Sequence, residues 1–329
     1  MDILNETHFL EKLSALPLEA GQKIAVAVSG GVDSMALALA FVKWGDFDIH
    51  ILSVDHGLRK EARGEVELVK RYASEWGARF QALKWEHGGV ENKLQEQARV
   101  ARYGLMLDCC EAQGIKHLLL AHHMDDQAET FLFRLCKGSG LDGLASMRTV
   151  QEIEGRDVCL VRPLLDVPKE ALIAFCEEHG IDYVHDPSNE SAQYARVRLR
   201  QAREVLEAEG LSNKRLAVSA KRFERARSAL EDLADKLYNE AILNKDTNRI
   251  VFDFKLLVHN PEELILRCVM MAMEALSDIK GYGARFEKIE HLVQGLLNET
   301  SFRKRTLGGV VFERDDKNSA LIMHREGKN

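Results

Sequence analysis

A chain of 329 residues, 46% hydrophobic and 29% charged, buries about three quarters of its open-chain surface on folding, which excludes wholesale disorder and removes any need for disulfides or metal clips. Its net charge of −7 argues against a uniformly basic nucleic-acid binder, so the distribution of charge matters more than the total. The longest apolar run is the eight residues from Met35 to Val42, far short of the roughly 18 that a membrane span needs. Asp2, Glu6, Glu11 and Lys12 interrupt any signal core near the start, so a cytoplasmic protein is expected.

In chain order, the first 20 residues read as a short amphipathic helix. Lys23 to Val28 is a buried strand, ended by the small-residue turn Ser29-Gly30-Gly31, and Asp33 to Trp44 is a helix. Ile49 to Val54 is a second strand; Glu61 to Trp76 is a helix with Val66, Leu68, Val69, Tyr72 and Ala73 along one side. A strand (Arg79 to Trp85), a long helix (Asn92 to Gln113), a strand (His117 to Ala121) and a helix (Asp125 to Cys136) follow, then a glycine loop from Gly138 to Gly143. Val158 to Val161 is a fifth strand, and Lys169 to His179 a helix stopped by Gly180. Strands alternating with helices at this spacing predict an α/β fold, a parallel sheet with helices on both faces.

After about residue 205 the pattern changes. Lys214 to Leu243 is charged and helical, Arg249 to Phe254 reads as a strand, and Pro261 to Ala275 and Phe286 to Leu297 are helices. Gly308-Gly309 between short alternating runs predicts a small β element. A boundary near Gly210 therefore separates residues 1–210 from a mainly helical second domain, 211–329. The six cysteines, at 109, 110, 136, 159, 176 and 268, form no Cys-x-x-Cys pair and are expected to be free thiols. Tyr194 to Arg227 holds ten Lys or Arg against four Glu, and Ser301 to Asn329 seven basic against four acidic residues. Each tract reads either as a local polyanion surface or as a solvated face.

The first chemical motif is Ser29-Gly30-Gly31-Val32-Asp33-Ser34, where a strand hands over to a helix. Backbone N–H groups and the helix dipole make an anion site there. Two glycines admit phosphate oxygens, Ser29 and Ser34 offer hydroxyls, and Asp33 is better suited to Mg²⁺ than to phosphate. The kinase-type G-x-x-x-x-G-K-[ST] loop is absent from the sequence. The turn resembles the PP-loop of the N-type ATP pyrophosphatases, which implies ATP cleavage between the α and β phosphates with transfer of AMP.

The second motif follows the fourth strand: Ala121-His122-His123-Met124-Asp125-Asp126-Gln127-Ala128-Glu129-Thr130, then Arg134-Leu135 and Gly138-Ser139-Gly140-Leu141-Asp142-Gly143-Leu144. On helical spacing His122, Asp126 and Glu129 share one face, as do Asp125 and Glu129. Such carboxylates suit a cationic substrate or Mg²⁺, or merely complement the helix dipole. A zinc site on the paired histidines lacks a third ligand at metal spacing.

This stretch resembles the HHxDDQAET and R-L-x-x-G-S-G-x-x-G-L signature of the tRNA(Ile)-lysidine synthetase family. Gln97-Ala98-Arg99 with Ala101-Arg102-Tyr103, Arg162-Pro163-Leu164-Leu165, Asp186-Pro187-Ser188-Asn189, Tyr282-Gly283-Ala284-Arg285-Phe286 and Arg303 to Gly309 resemble further stretches of that family. Where the family usually carries R-N-R-I-R, this chain has Arg196-Val197-Arg198-Leu199-Arg200. It also ends soon after the second domain, like the shorter family form.

The resemblance implies a PP-loop ATP-binding catalytic domain and a helix-rich tRNA-recognition domain. It implies adenylation of O2 of the wobble cytidine in tRNA(Ile) with a CAU anticodon, then attack of free L-lysine at C2 to give lysidine. ATP would lie on Ser29, Gly30, Gly31, Val32, Asp33 and Ser34, with Mg²⁺ held at Asp33 through the nucleotide. Asp126 and Glu129 would serve lysine and Arg99 its carboxylate; His122, Asp125 and Arg162 form an additional candidate set. Arg196, Arg198, Arg200, Arg303, Lys304 and Arg305 are the expected tRNA contacts. The oligomeric state is left open, a homodimer being one form. The rival readings are a PP-loop tRNA 2-thiolation enzyme, which needs a reactive cysteine, and a nucleotide-binding regulatory module without catalysis.

Overall fold

The computed structural model describes residues 4–55, 62–85, 94–184, 198–199, 202–277 and 286–327. The chain divides into two compact units, Met1–Glu224 and Arg225–Asn329. Among the described residues, no helix is long and apolar enough to cross a membrane.

The first unit begins with α1 (Glu6–Ser14), β1 (Lys23–Ala27), α2 (Val32–Trp44), β2 (Asp48–Asp55), α3 (Ala62–Glu75) and β3 (Arg79–Lys84). It continues through α4 (Leu94–Ala112), β4 (His117–Leu119), α5 (Met124–Leu135), α6 (Leu141–Leu144), β5 (Val150–Glu152), β6 (Cys159–Val161), α7 (Lys169–Glu178) and α8 (Arg203–Ala208). Its sheet runs β3-β2-β1-β4-β6-β5, parallel throughout except for β5, which pairs antiparallel with β6. Val26 stands opposite Ile51 on one side and Leu119 on the other, so β1 is central and apolar throughout its middle. α2 is apolar almost all round because it is buried almost all round, from Val32 to Phe41. Phe9 of α1 meets Phe41 edge-on at 5.0 Å, and Trp44 packs on Phe175 of α7 at 5.1 Å.

The strand order places the site. From β1 the chain winds outward through β2 to β3, then returns to lay β4 on the other side of β1. The order reverses between β1 and β4, and ligands bind in the crevice beyond the carboxyl ends of such a pair. The Ser29 turn leaves β1 there, and His122-His123 leave β4 there.

Three local expectations change. β4 ends at Leu119 and α5 begins at Met124, so His122 lies outside the helix and does not share a helical face with Asp126. Part of the glycine loop winds into the single turn α6. The strand β5 was not expected, because three residues, Val-Gln-Glu, carry no usable periodicity.

In the second unit, the end of α9 (Asn213–Ala241) leads into β7 (Ile242–Lys245), β8 (Arg249–Asp253), α10 (Phe254–Val258), α11 (Glu262–Leu276), α12 (Phe286–Asn298), β9 (Arg305–Leu307), β10 (Val310–Asp315) and β11 (Ala320–Arg325). The expected small β element is a five-stranded sheet, ordered β7-β8-β11-β10-β9 and antiparallel at every pairing. Its buried face (Phe252, Phe312, Leu321) packs with Val269 of α11 and Val293 of α12. β7 escapes the sequence reading because Ile242 and Leu243 extend the apolar rhythm of the helix before them.

Candidate active site

The turn after β1 is fixed by its own atoms. Gly30 has φ +87, a backbone that side-chain-bearing residues rarely adopt, and its carbonyl accepts the Val184 N–H at 2.9 Å. The Ser34 hydroxyl donates to the Gly31 carbonyl at 2.9 Å and accepts the Ser29 N–H at 3.2 Å. Ser34 is thus buried and engaged in closing the turn, whereas Ser29 is exposed. Gly31 caps α2, and no side chain bonds at that cap. A helix start of this kind, covered by no side-chain cap, presents its leading N–H groups to an anion.

The start of α5 stands beside that turn. His123, only 4% exposed, is its cap: its Nδ1 accepts the Asp125 N–H at 3.2 Å, and its own N–H donates to Asp126 Oδ2 at 3.1 Å. This reciprocal arrangement satisfies two backbone donors. The other ring nitrogen, Nε2, lies 3.6 Å from Asp33 Oδ2 and 3.5 Å from Asp126 Oδ2. Burial works against a charge on His123, but Asp33, Asp126 and Asp125 outweigh it and raise the pKa above its ordinary value. His123 thereby joins the phosphate-type turn to the carboxylates of α5. Sequence reasoning passed over it in favour of His122; the signal was its place three residues before Asp126, the spacing of a capping pair. Lys169, at the start of α7, was also missed, and its Nζ lies 4.0 Å from Asp33 Oδ2.

Asp125 and Glu129 are buried and Asp126 is half-buried. Asp125 Oδ2 receives Arg203 Nη1 at 3.3 Å. Beside them lies a cationic group. His122 is pushed down to about 4, first by burial, against the pull of Asp126 and with the help of Arg162, Arg99 and Arg102. It is therefore a neutral imidazole at ordinary pH. The guanidinium carbons of Arg99 and Arg102 lie 5.7 and 5.6 Å from the Tyr103 ring centre. Arg162 is buried, donating to the Arg148 carbonyl and to Gln151 Oε1, each at 2.9 Å. So the structure brings His122, Asp126, Arg99 and Arg162 into one electrostatic neighbourhood.

Much of the second motif is scaffold. The Gln127 amide bonds both ways to the Met147 backbone at 2.9 Å. Arg134 donates to the carbonyls of Gly143 at 2.7 Å and Ser146 at 3.2 Å. A Cβ on Gly143 would stand 2.6 Å from Ser139 Cβ. These residues fold the glycine loop against α5.

Of the expected tRNA contacts, Arg198 is exposed, and Arg196 and Arg200 lie outside the described residues, as do Asp186 to Asn189 and Tyr282 to Arg285. Arg303, Lys304 and Arg305 belong to the second unit. Lys304 lies 3.6 Å from Glu313, while Arg305 is paired with Glu299 and lies over the Phe302 ring at 4.8 Å.

Among the described residues, no three His, Cys, Asp or Glu side chains are grouped to hold a metal. A cation at Asp33 would therefore need ligands brought by the nucleotide. A carboxylate oxygen is the donor type that Mg²⁺ takes, so Asp33 fits that role.

A doubly wound sheet with a glycine-serine turn at its switch point defines a nucleotide-binding enzyme, and the PP-loop domain model matches residues 5–208. A solved U34-tRNA thiolase from Methanococcus maripaludis shares the fold, with a TM-score of 0.56 at 18% identity over 67% of this chain and 77% of that one. The tRNA(Ile)-lysidine synthase of Methylobacterium nodulans is 40% identical over 276 residues, 83% of this chain and 81% of that protein. That of Bradyrhizobium sp. strain BTAi1 is 34% identical over 323 residues, 92% of this chain and 89% of that protein. The chain belongs to the tRNA(Ile)-lysidine synthase family, with a PP-loop ATP-binding domain.

Proposed function

We propose that this chain uses ATP to join free L-lysine to the wobble cytidine of tRNA(Ile) bearing a CAU anticodon. The observation that carries the reading is the His123 junction, which sets the phosphate-type turn and the α5 carboxylates side by side at adjacent strand ends. The cytidine O2 attacks the α phosphorus of ATP on the Ser29–Ser34 turn, and pyrophosphate leaves. The lysine amine then attacks C2, its proton passes to Asp126 or Glu129, and the C2–O bond breaks to release AMP. A poor amide-like electrophile is thereby given a good leaving group. Arg99 is the proposed partner of the lysine carboxylate, as part of the cationic group around His122. Asp33 would hold Mg²⁺ together with phosphate oxygens, and the ion when bound offsets charge on the departing pyrophosphate. Residues 1–210 would carry the chemistry and the helix-rich remainder would recognise tRNA. The thiolation reading gains nothing from the Cys109-Cys110 pair: both are buried, and burial pushes Cys110 up to about 12.

Mass analysis of the anticodon loop after incubation with ATP and lysine tests the reading. One added lysine less one water at the wobble cytidine is expected; an unmodified base or an added sulfur would overturn it. Asp33→Ala should abolish pyrophosphate release with the fold intact by circular dichroism. If Asp126 and Glu129 serve lysine, their alanine variants should still form adenylated tRNA and fail to consume it. Loss of the pyrophosphate step itself in those variants would reassign them to the nucleotide.

A further inference from the structure

Arg203 opens α8, outside the motifs read from the sequence, although within the residues 5–208 that the domain model matches. Its guanidinium reaches three carboxylates: Nη1 lies 3.3 Å from Asp125 Oδ2, Nη2 3.7 Å from Glu170 Oε1, and Nε 2.9 Å from Glu207 Oε1. Glu207 is one helical turn along the same element. The other two belong to the leading turns of two different helices, α5 and α7. Asp125 is 8% exposed, and its neighbours in α5 are the His123 cap and the candidate Asp126. Glu170 follows Lys169, the residue that lies 4.0 Å from Asp33. One side chain therefore ties together the two helix starts that bring His123 and Lys169 to Asp33.

A buried carboxylate left without a countercharge is costly and projects its field into whatever lies beside it. We infer that Arg203 is a positioning residue for the nucleotide site: it neutralises Asp125, so that the crevice meets the ATP phosphates without an uncompensated carboxylate behind the α5 cap. This rests on the reading of the crevice as the ATP site. Without Arg203, the charge on Asp125 repels the triphosphate. Removing the Asp125 charge as well relieves that repulsion, even though the side-chain link through Arg203 between α5 and α7 stays broken. A purely mechanical clamp makes the opposite forecast, because the double variant is then no better than the single one.

The experiment is ATP titration calorimetry on the full chain, which needs neither tRNA nor lysine, with thermal denaturation alongside. Arg203→Ala should weaken ATP binding by about tenfold through the unscreened like charge, and Arg203→Ala combined with Asp125→Asn should recover most of that loss. Should Arg203→Ala fail to fold, Arg203→Lys and Arg203→Gln replace it, with the charged variant expected to bind ATP more tightly. Wild-type affinity in Arg203→Ala, a double variant as weak as the single one, or equal affinities of the Lys and Gln variants would overturn the inference. Failure of the unaltered chain to bind ATP would instead sink the reading of the crevice on which it rests.

Discussion

Adjacent histidines with opposite electrostatic fates mark the residue scale. His123 accepts at Nδ1 from the helix it caps, so its proton belongs on Nε2, facing Asp33 and Asp126. His122, one residue earlier, is held neutral by burial among arginines. The sign of its pH effect follows. The folded pKa, about 4, lies below the unfolded value of about 6.5. Between those values the unfolded chain binds the proton more readily, so stability is complete above about pH 6.5 and is lost as pH falls toward 4. Between about pH 7 and about pH 5 the loss from this one group is roughly 2 kcal/mol. Urea denaturation of His122→Phe at both pH values should show a shallower acid dependence than the parent by about that amount; an unchanged dependence would mean that His122 is not buried among cations. The motif was legible in the sequence, but the division of labour within it was not. Spacing placed His122 on a helix face with Asp126, whereas the helix starts only after His123. Where backbone leaves the extended state is decided by cap bonds and by Val167, whose carbonyl accepts the Met124 N–H at 2.9 Å, and periodicity does not register either one.

At the scale of elements, the sheet order was the legible part, and it located the crevice. Alternating buried strands and amphipathic helices predict a parallel sheet, and the Ser29 and His122 motifs both follow strands that turn out to be neighbours. The glycine loop was less legible, since periodicity assigns no partner to its glycines or to Arg134. The structure shows Arg134 donating to the carbonyls of Gly143 and Ser146. Gln127→Ala should accordingly act on stability, because it strips two bonds from the Met147 backbone and leaves a part-buried N–H and C=O to find water. A loss of about 1–3 kcal/mol is expected, measured by chemical denaturation, with ATP affinity changed little. Arg134→Lys should be partly destabilising for a related reason: a single guanidinium nitrogen, Nη1, donates to both the Gly143 and the Ser146 carbonyl, and a freely rotating ammonium on a different stem is not held in that place by a rigid planar group. A collapse of ATP binding with unchanged stability in either variant would assign these residues to the nucleotide site instead.

On the scale of the whole molecule, an acidic protein that acts on tRNA needs its cations concentrated. The sequence made that concentration visible, ten basic against four acidic residues from Tyr194 to Arg227, but it could not tell which charges are already spent within the protein. In the C-terminal patch, Lys304 and Arg305 face Glu313 and Glu299, so a phosphate must compete with a carboxylate for each. Arg203, within the first tract, is committed to carboxylates as well. The salt dependence of tRNA binding measures which of these charges reach phosphate. Each phosphate neutralised contributes roughly 0.7 to 0.9 to the slope of log affinity against log salt. Replacing Arg196, Arg198 and Arg200 together by alanine should weaken tRNA binding and flatten that slope by about two to three units if each holds a phosphate. Replacing Arg303, Lys304 and Arg305 should flatten it by only about one, because two of those charges have local partners. Filter binding of tRNA(Ile) across a salt series measures both, and ATP affinity without tRNA serves as the control. A larger change in slope from the second triple variant than from the first would place the main phosphate contacts in the C-terminal unit, and an unchanged slope in both would place the RNA on neither tract.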